Sequence, residues 1–333
     1  MKPDVQLQLF IPQASLAQVC RLGLESALAR LMARSRLEPL DDSIESLICQ
    51  QAGLPASSQS AGSLPIAAIS YLGEDGQESA VAVDKGYFLF ADPVHLVLQR
   101  DSFSLLAPVP MALSPEESSS LLDSLNRHFA ADGLRFMAGS SGHWYLHLAE
   151  PPNIVSCHPG LAVDRDINAF LPKGNEAARW NQLINEIQML LHSHPVNQAR
   201  ESKGLVPCNS LWFWGEGKLP GKGKGEPIFA YASTPLMRGL GNLGKIECQD
   251  MPAAFPAVCS PSARAATWVQ LDESTDIDDS WFQACARQLK RGDVDSLQLN
   301  FAVNGKVLQA TLRRCDLWKF WRGSSAIKTY FEK

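Results

Sequence analysis

HPVNQARESKGLVPCNSLWFWGEG, residues 194–217, joins two unlike pieces of chain. Its first residues end a long amphipathic pattern, EAARWNQLINEIQMLLHSHPVN (176–197), whose apolar residues recur at helical spacing until Pro195 stops it. Its last residues, NSLWFWGEG (209–217), form an apolar run closed by glycines and read as a buried strand. Upstream, Ser114 stands before Pro115 and three residues ahead of Glu117, so a capping box with proline in the first turn opens a helix over 113–133 that Gly133 ends. LRFMAG and HWYLHL follow as paired strands. Downstream come a Gly/Lys loop (KLPGKGKGEP), a strand IFAYAS (228–233), a short helix around TPLMRGLGNLG, a strand TWVQLD (267–272) and a helix DDSWFQACARQLKRG (278–292). SLQLNFAVNGKVLQATL (296–312) then reads as a hairpin turning at Asn304-Gly305.

At the other end, SLAQVCRLGLESALARLMARSRL (15–37) carries a helical stripe behind Ser15 as cap, and AGLPASSQSAGSLP (52–65) is a loop. IAAISYL (66–72) is strand-like, and several strands are expected over 80–106, separated at Asp84-Lys85-Gly86 and Asp92-Pro93. Strands alternate with helices at both ends, which implies an α/β layered fold. The 333 residues, 45% hydrophobic, suffice for one large or two ordinary domains. A net charge of −5 without a block of like charge leaves no footprint for nucleic acid or an anionic membrane, so neither is an expected partner. The eight cysteines are scattered and read as reduced thiols. No apolar run approaches the roughly 20 residues that span a bilayer. The first residues lack a signal-peptide core, and a cytoplasmic protein is expected.

Several patterns are outweighed by plainer readings. Gly239-Leu240-Gly241-Asn242-Leu243-Gly244 matches G-x-G-x-x-G, but the KIECQDMP that follows is too short and proline-broken for a crossover helix, so a glycine-rich helix end is the better reading. The loop around Lys222 fails the P-loop pattern in every frame. His143 and His147 share one strand face, and His192 and His194 close a helix; without acidic or cysteine ligands at metal spacing, they read as surface or core histidines.

The quoted stretch resembles H-P-x-N-x-x-R-x-x-x-G-x-x-x-A-N-x-x-W-x-x-G-x-G of the archaeal-type, cofactor-independent phosphoglycerate mutases, members of the alkaline phosphatase superfamily. The likeness extends to about residues 113–250, as in a divergent bacterial branch. It implies an alkaline-phosphatase-like layered α/β core with an inserted smaller α+β domain. Chain order assigns 1–110 and 210–333 to the core and 111–209 to the insert, which brings Val109 near Ser210. The family's reaction passes a phosphoryl group through a serine or threonine activated by two metals, held by Asp and His from both ends of the chain. This sequence departs from that pattern. No histidine follows His194, Met1–Ile11 holds only Asp4 where D-G-x-x-D is expected, the insert's tyrosine-arginine pair is replaced near His143-Trp144, and Cys208 stands for the motif's alanine.

The resemblance therefore implies a phosphoglycerate-mutase-like protein without its two-metal centre, non-catalytic and regulatory, with no cofactor. His194, Asn197, Arg200 and Asn209 are its expected ligand-binding residues, for a small phosphorylated acid that a guanidinium recognises through paired hydrogen bonds. Read from the residues alone, His194, Asn197 and Asn209 cap the helix and tie the following loop to the strand, with Arg200 in a surface ion pair. A second reading is an active, divalent-metal-dependent phosphomutase or phosphatase with a site rebuilt from Asp92, His95, Asp164 and Asp166. A third is a scaffold for a protein partner through Trp318, Phe320 and Trp321.

Overall fold

The computed structural model describes residues 5–54, 64–75, 86–100, 102–223, 228–251, 266–271 and 275–332. Residues 55–63 of the loop expected over 52–65, and residues 80–85 at the start of the strands expected over 80–106, lie outside the described residues. The chain folds as two compact units, one of residues 1–53 and 222–333 and one of residues 54–221.

The first unit contains β1 (Gln6–Ile11), α1 (Leu16–Cys20), α2 (Ala27–Arg34), β2 (Arg36–Leu40) and α3 (Ile44–Gln51), then β8 (Ile228–Tyr231), α8 (Pro235–Asn242), β9 (Glu247–Gln249), β10 (Ala266–Gln270), α9 (Asp279–Arg291), β11 (Ser296–Val303), β12 (Lys306–Arg313) and α10 (Lys328–Phe331). Its seven-stranded sheet has the order β2-β12-β11-β1-β10-β8-β9. β1 runs parallel to both neighbours, placing Leu9 opposite Val269 and Leu299, whereas β12 and β2 add antiparallel at one edge. Leu7, Leu9 and Ile11 pack on α2 and α9, and Gln8 and Phe10 are buried on the other face, as in a sheet covered on both sides.

The second unit contains α4 (Ile66–Leu72), β3 (Tyr87–Leu98), β4 (Phe103–Leu106), α5 (Pro115–His128), β5 (Arg135–Ala138), β6 (Trp144–Leu148), α6 (Ala177–His192), α7 (Pro195–Ser202) and β7 (Ser210–Lys218). Its antiparallel sheet runs β4-β3-β6-β5, with β7 also paired to β3. Leu89, Ala91, Leu146 and Phe213 on one face pack against Leu121 and Leu125 of α5 and Ile184 and Ile187 of α6.

The layered α/β class follows the sequence, and four local readings need correction. The helix expected over 15–37 breaks after Cys20; Ser26 caps a new helix, Asp279 accepts from the amides of Ala27 and Leu28, and Arg36–Leu40 is an edge strand. IAAISYL is a helix, because a short apolar run buried on most sides carries no period to separate helix from strand. Pro195 ends one helix and opens another, α7. The units divide at 53/54 and 221/222, not at 110/111 and 209/210. β3 is the reason: it pairs with β6 and β7, so residues 87–98 cannot leave the body formed by 111–209. Met111 N–H and Asn209 N–H both reach β3, at Pro93 O and Val94 O, so the segment between them leaves and returns at one place.

Candidate functional site

The four motif residues meet where α5, α6 and α7 join β3 and β7. His194 is the N-cap of α7: its Nδ1 accepts from Val196 N–H at 3.2 Å and its Nε2 lies 3.0 Å from Ser124 Oγ. Burial holds its pKa below the ordinary 6.5. Asn197 donates to Leu191 O and Cys208 O and accepts from Cys208 N–H at 2.9 Å, tying α6 to the start of β7. Asn209 accepts from Leu96 N–H at 2.7 Å and donates to Leu96 O at 2.8 Å, imitating one rung of a strand ladder. Arg200 is 7% exposed, and its nitrogens donate to Val206 O, Ala112 O and, at 2.6 Å, Glu117 Oε2. That carboxylate also accepts from Ser114 N–H in the capping box of α5, so one acid serves a helix end and a buried cation. His194, Asn197 and Asn209 bond to the chain itself as caps and ties, and Arg200 is in a buried rather than a surface ion pair.

The metal candidates do not converge either. Asp92 is wholly buried and occupied; His95 Nδ1 lies 2.8 Å from Pro207 O; Asp164 sits at positive φ with its amide on Leu105 O; Asp166 caps the turn at Ile167–Ala169. Among the described residues, no group of three or more His, Cys, Asp or Glu is placed to hold a metal. A two-metal clamp needs several open oxygen or nitrogen ligands around one point, and these residues do not fit it.

Tertiary packing assembles a different cluster, on the face of β3, β6 and β7 turned away from α5 and α6. Asp92 Oδ1 pairs with His143 Nδ1 at 2.8 Å and Oδ2 accepts from Trp214 Nε1 at 2.8 Å. Glu74, also buried, accepts from Tyr145 Oη at 2.6 Å, from the hydroxyls of Ser140 and Ser141 and from Ser141 N–H. Burial first, then the Glu74 carboxylate, holds the Tyr145 phenol well above its ordinary pKa, so it stays a donor. Phe90 stacks on Trp214 with ring centroids 4.4 Å apart and lies 4.8 Å from His143. α4 covers this face closely: a Cβ on Gly217 would come within 2.7 Å of Pro65 backbone, so only glycine fits there.

Asp92 and His143 pair in the form of an oriented imidazole. A buried carboxylate on Nδ1 orients an imidazole, and the His143 side chain keeps 29% exposure. The sequence carried a signal for it in the alternation Phe88-Phe90-Asp92, His143-Tyr145-His147 and Trp212-Trp214-Glu216, which places polar and aromatic groups on one sheet face. The strand pairing that joins the three runs was not legible.

The model of the family described as 2,3-bisphosphoglycerate-independent phosphoglycerate mutase matches residues 110–197. A protein of that name from Methanosarcina mazei is 32% identical over 143 residues, covering 39% of this chain and 34% of the relative. A second, from Methanothermobacter thermautotrophicus, is 33% identical over 156 residues, covering 41% and 36%. A probable enzyme of the same kind from Geobacter sulfurreducens is 30% identical over 139 residues, covering 39% and 34%. The structure of the cofactor-independent phosphoglycerate mutase of Thermoplasma acidophilum aligns over 93% of this chain and 90% of its own, at 15% identity and a TM-score of 0.40. The chain thus spans about a third of the length of the curated relatives it matches, and over that span it is similar to the 2,3-bisphosphoglycerate-independent phosphoglycerate mutases; the match to the family model lies within the second unit.

Proposed function

We propose that this protein is a phosphoglycerate-mutase-like protein without a two-metal centre, acting as a non-catalytic regulator. The observation that carries the reading is the use made of the similar segment. Its motif residues hold α5, α6, α7 and β7 together through hydrogen bonds to backbone and to Glu117, so architecture is retained where chemistry would need open groups. The absence of any histidine after His194 in this sequence supports it, since the family resemblance implies ligands from both ends of the chain. Incubating the purified protein with Mn²⁺ and 3-phosphoglycerate is expected to yield no 2-phosphoglycerate. Turnover above about 1 s⁻¹, within the ordinary enzymatic range, overturns the reading.

One observation favours a second reading, residual phosphate-ester hydrolysis: the buried Asp92 that orients His143. If that pair works as a general base, Asp92→Asn and His143→Ala each lower hydrolysis of a generic phosphomonoester by about 10²- to 10⁴-fold. A parent protein without hydrolysis sets this second reading aside.

A further inference from the structure

Residues 313–322 of the first unit, RRCDLWKFWR, carry four cations against one carboxylate in a chain whose net charge is −5. Within four positions, Trp318, Phe320 and Trp321 are 73%, 75% and 70% exposed. Water-exposed aromatics at that density are unfavourable unless something covers them. The turn that presents them is well held. Leu317 packs inward on the core, and its carbonyl accepts from Arg34 Nη1 at 3.0 Å. Arg322 Nη1 donates to Ser35 O, and Asp316 accepts from Arg313 N–H and pairs with Lys319. The rings are outside because the backbone beneath them is fixed.

We propose that this turn is a membrane-surface anchor that seats the protein on an anionic lipid bilayer. Tryptophan and phenylalanine settle at the headgroup level, where an apolar body meets a wet boundary, and neighbouring arginines reach lipid phosphates. Arg313 and Arg314, next to this turn in the chain, are exposed. Charge selects lipid over a second copy, because a two-fold contact would set these cations against themselves. The excess is local, which is why chain-wide charge counting does not reveal it. Each cation near an anionic surface strengthens binding by roughly five-fold, so a few suffice beside three rings.

The test mixes the full chain with vesicles of equal parts phosphatidylcholine and phosphatidylglycerol. Cosedimentation that weakens at high salt, with tryptophan emission quenched by brominated acyl chains, is the expected result. Trp318→Ser/Phe320→Ser/Trp321→Ser is expected to lower vesicle affinity at least about tenfold while leaving the melting temperature unchanged. The quenching arm uses the unaltered protein and stands even if that variant misfolds. No binding to these vesicles, or binding without quenching, overturns the anchor. So does a patch whose substitution abolishes a dimer or oligonucleotide binding while vesicle binding is absent.

Discussion

Arg200 was legible as an isolated basic residue in a motif, and its type alone pointed to an anion. The anion is Glu117, 83 positions earlier in the chain. Arg200→Ala leaves this partly buried carboxylate, and the carbonyls of Val206 and Ala112, without their donor. The expected loss is about 3 kcal/mol in urea denaturation, the scale of breaking a buried ion pair. A variant as stable as the parent would return Arg200 to ligand binding. His194 adds a pH dependence. Its folded pKa lies below 6.5, so below that value the unfolded chain takes up the proton first and stability falls until the folded pKa is passed. Protonation also removes the Nδ1 acceptor that caps Val196. His194→Asn, which keeps a cap without a titrating ring, is expected to flatten stability between neutral pH and the folded pKa; an unchanged slope assigns it to another group.

The elements most legible in the sequence are those whose ends are locally satisfied. Ser114, Pro115 and Glu117 form the capping box read from their spacing, and Asn304 and Gly305 both take positive φ, 49° and 75°, in the hairpin turn. Gly305→Ala is expected to destabilise by about 1 kcal/mol, because a side chain is disfavoured in that backbone region. Ser114→Ala is expected to lose about 1 kcal/mol as a cap alone. Glu117→Ala should lose more, and in a double-mutant cycle its loss should not add to that of Arg200→Ala, since one carboxylate serves both. Additive losses would show that the two roles are separate. IAAISYL was misread because its identity depends on what lies beneath it: Tyr71 stacks on Phe88 at 4.9 Å, and Ala67 lies close over Gly215.

At the scale of the molecule, each unit has a core of its own, so unfolding is expected to show two calorimetric transitions. Leu125→Ala, in the core of residues 54–221, should lower only one of them, by about 2–5 kcal/mol of local stability. A single transition that moves as a whole would mean the units unfold together. Among the described residues, no helix is long and apolar enough to cross a membrane.

Sequence by itself determined the layered α/β class, the capped helix at Ser114, the Asn304-Gly305 hairpin and the family likeness of the middle of the chain. These rest on period, turn chemistry and spacing, which act over a few residues. Tertiary structure alone decided that residues 54–110 join the second unit, that Arg200 faces Glu117, and that Asp92, His143 and Trp214 meet. Each depends on β3 pairing with strands far along the chain, and the hydrogen bonds of a strand edge carry no local record of which partner will satisfy them.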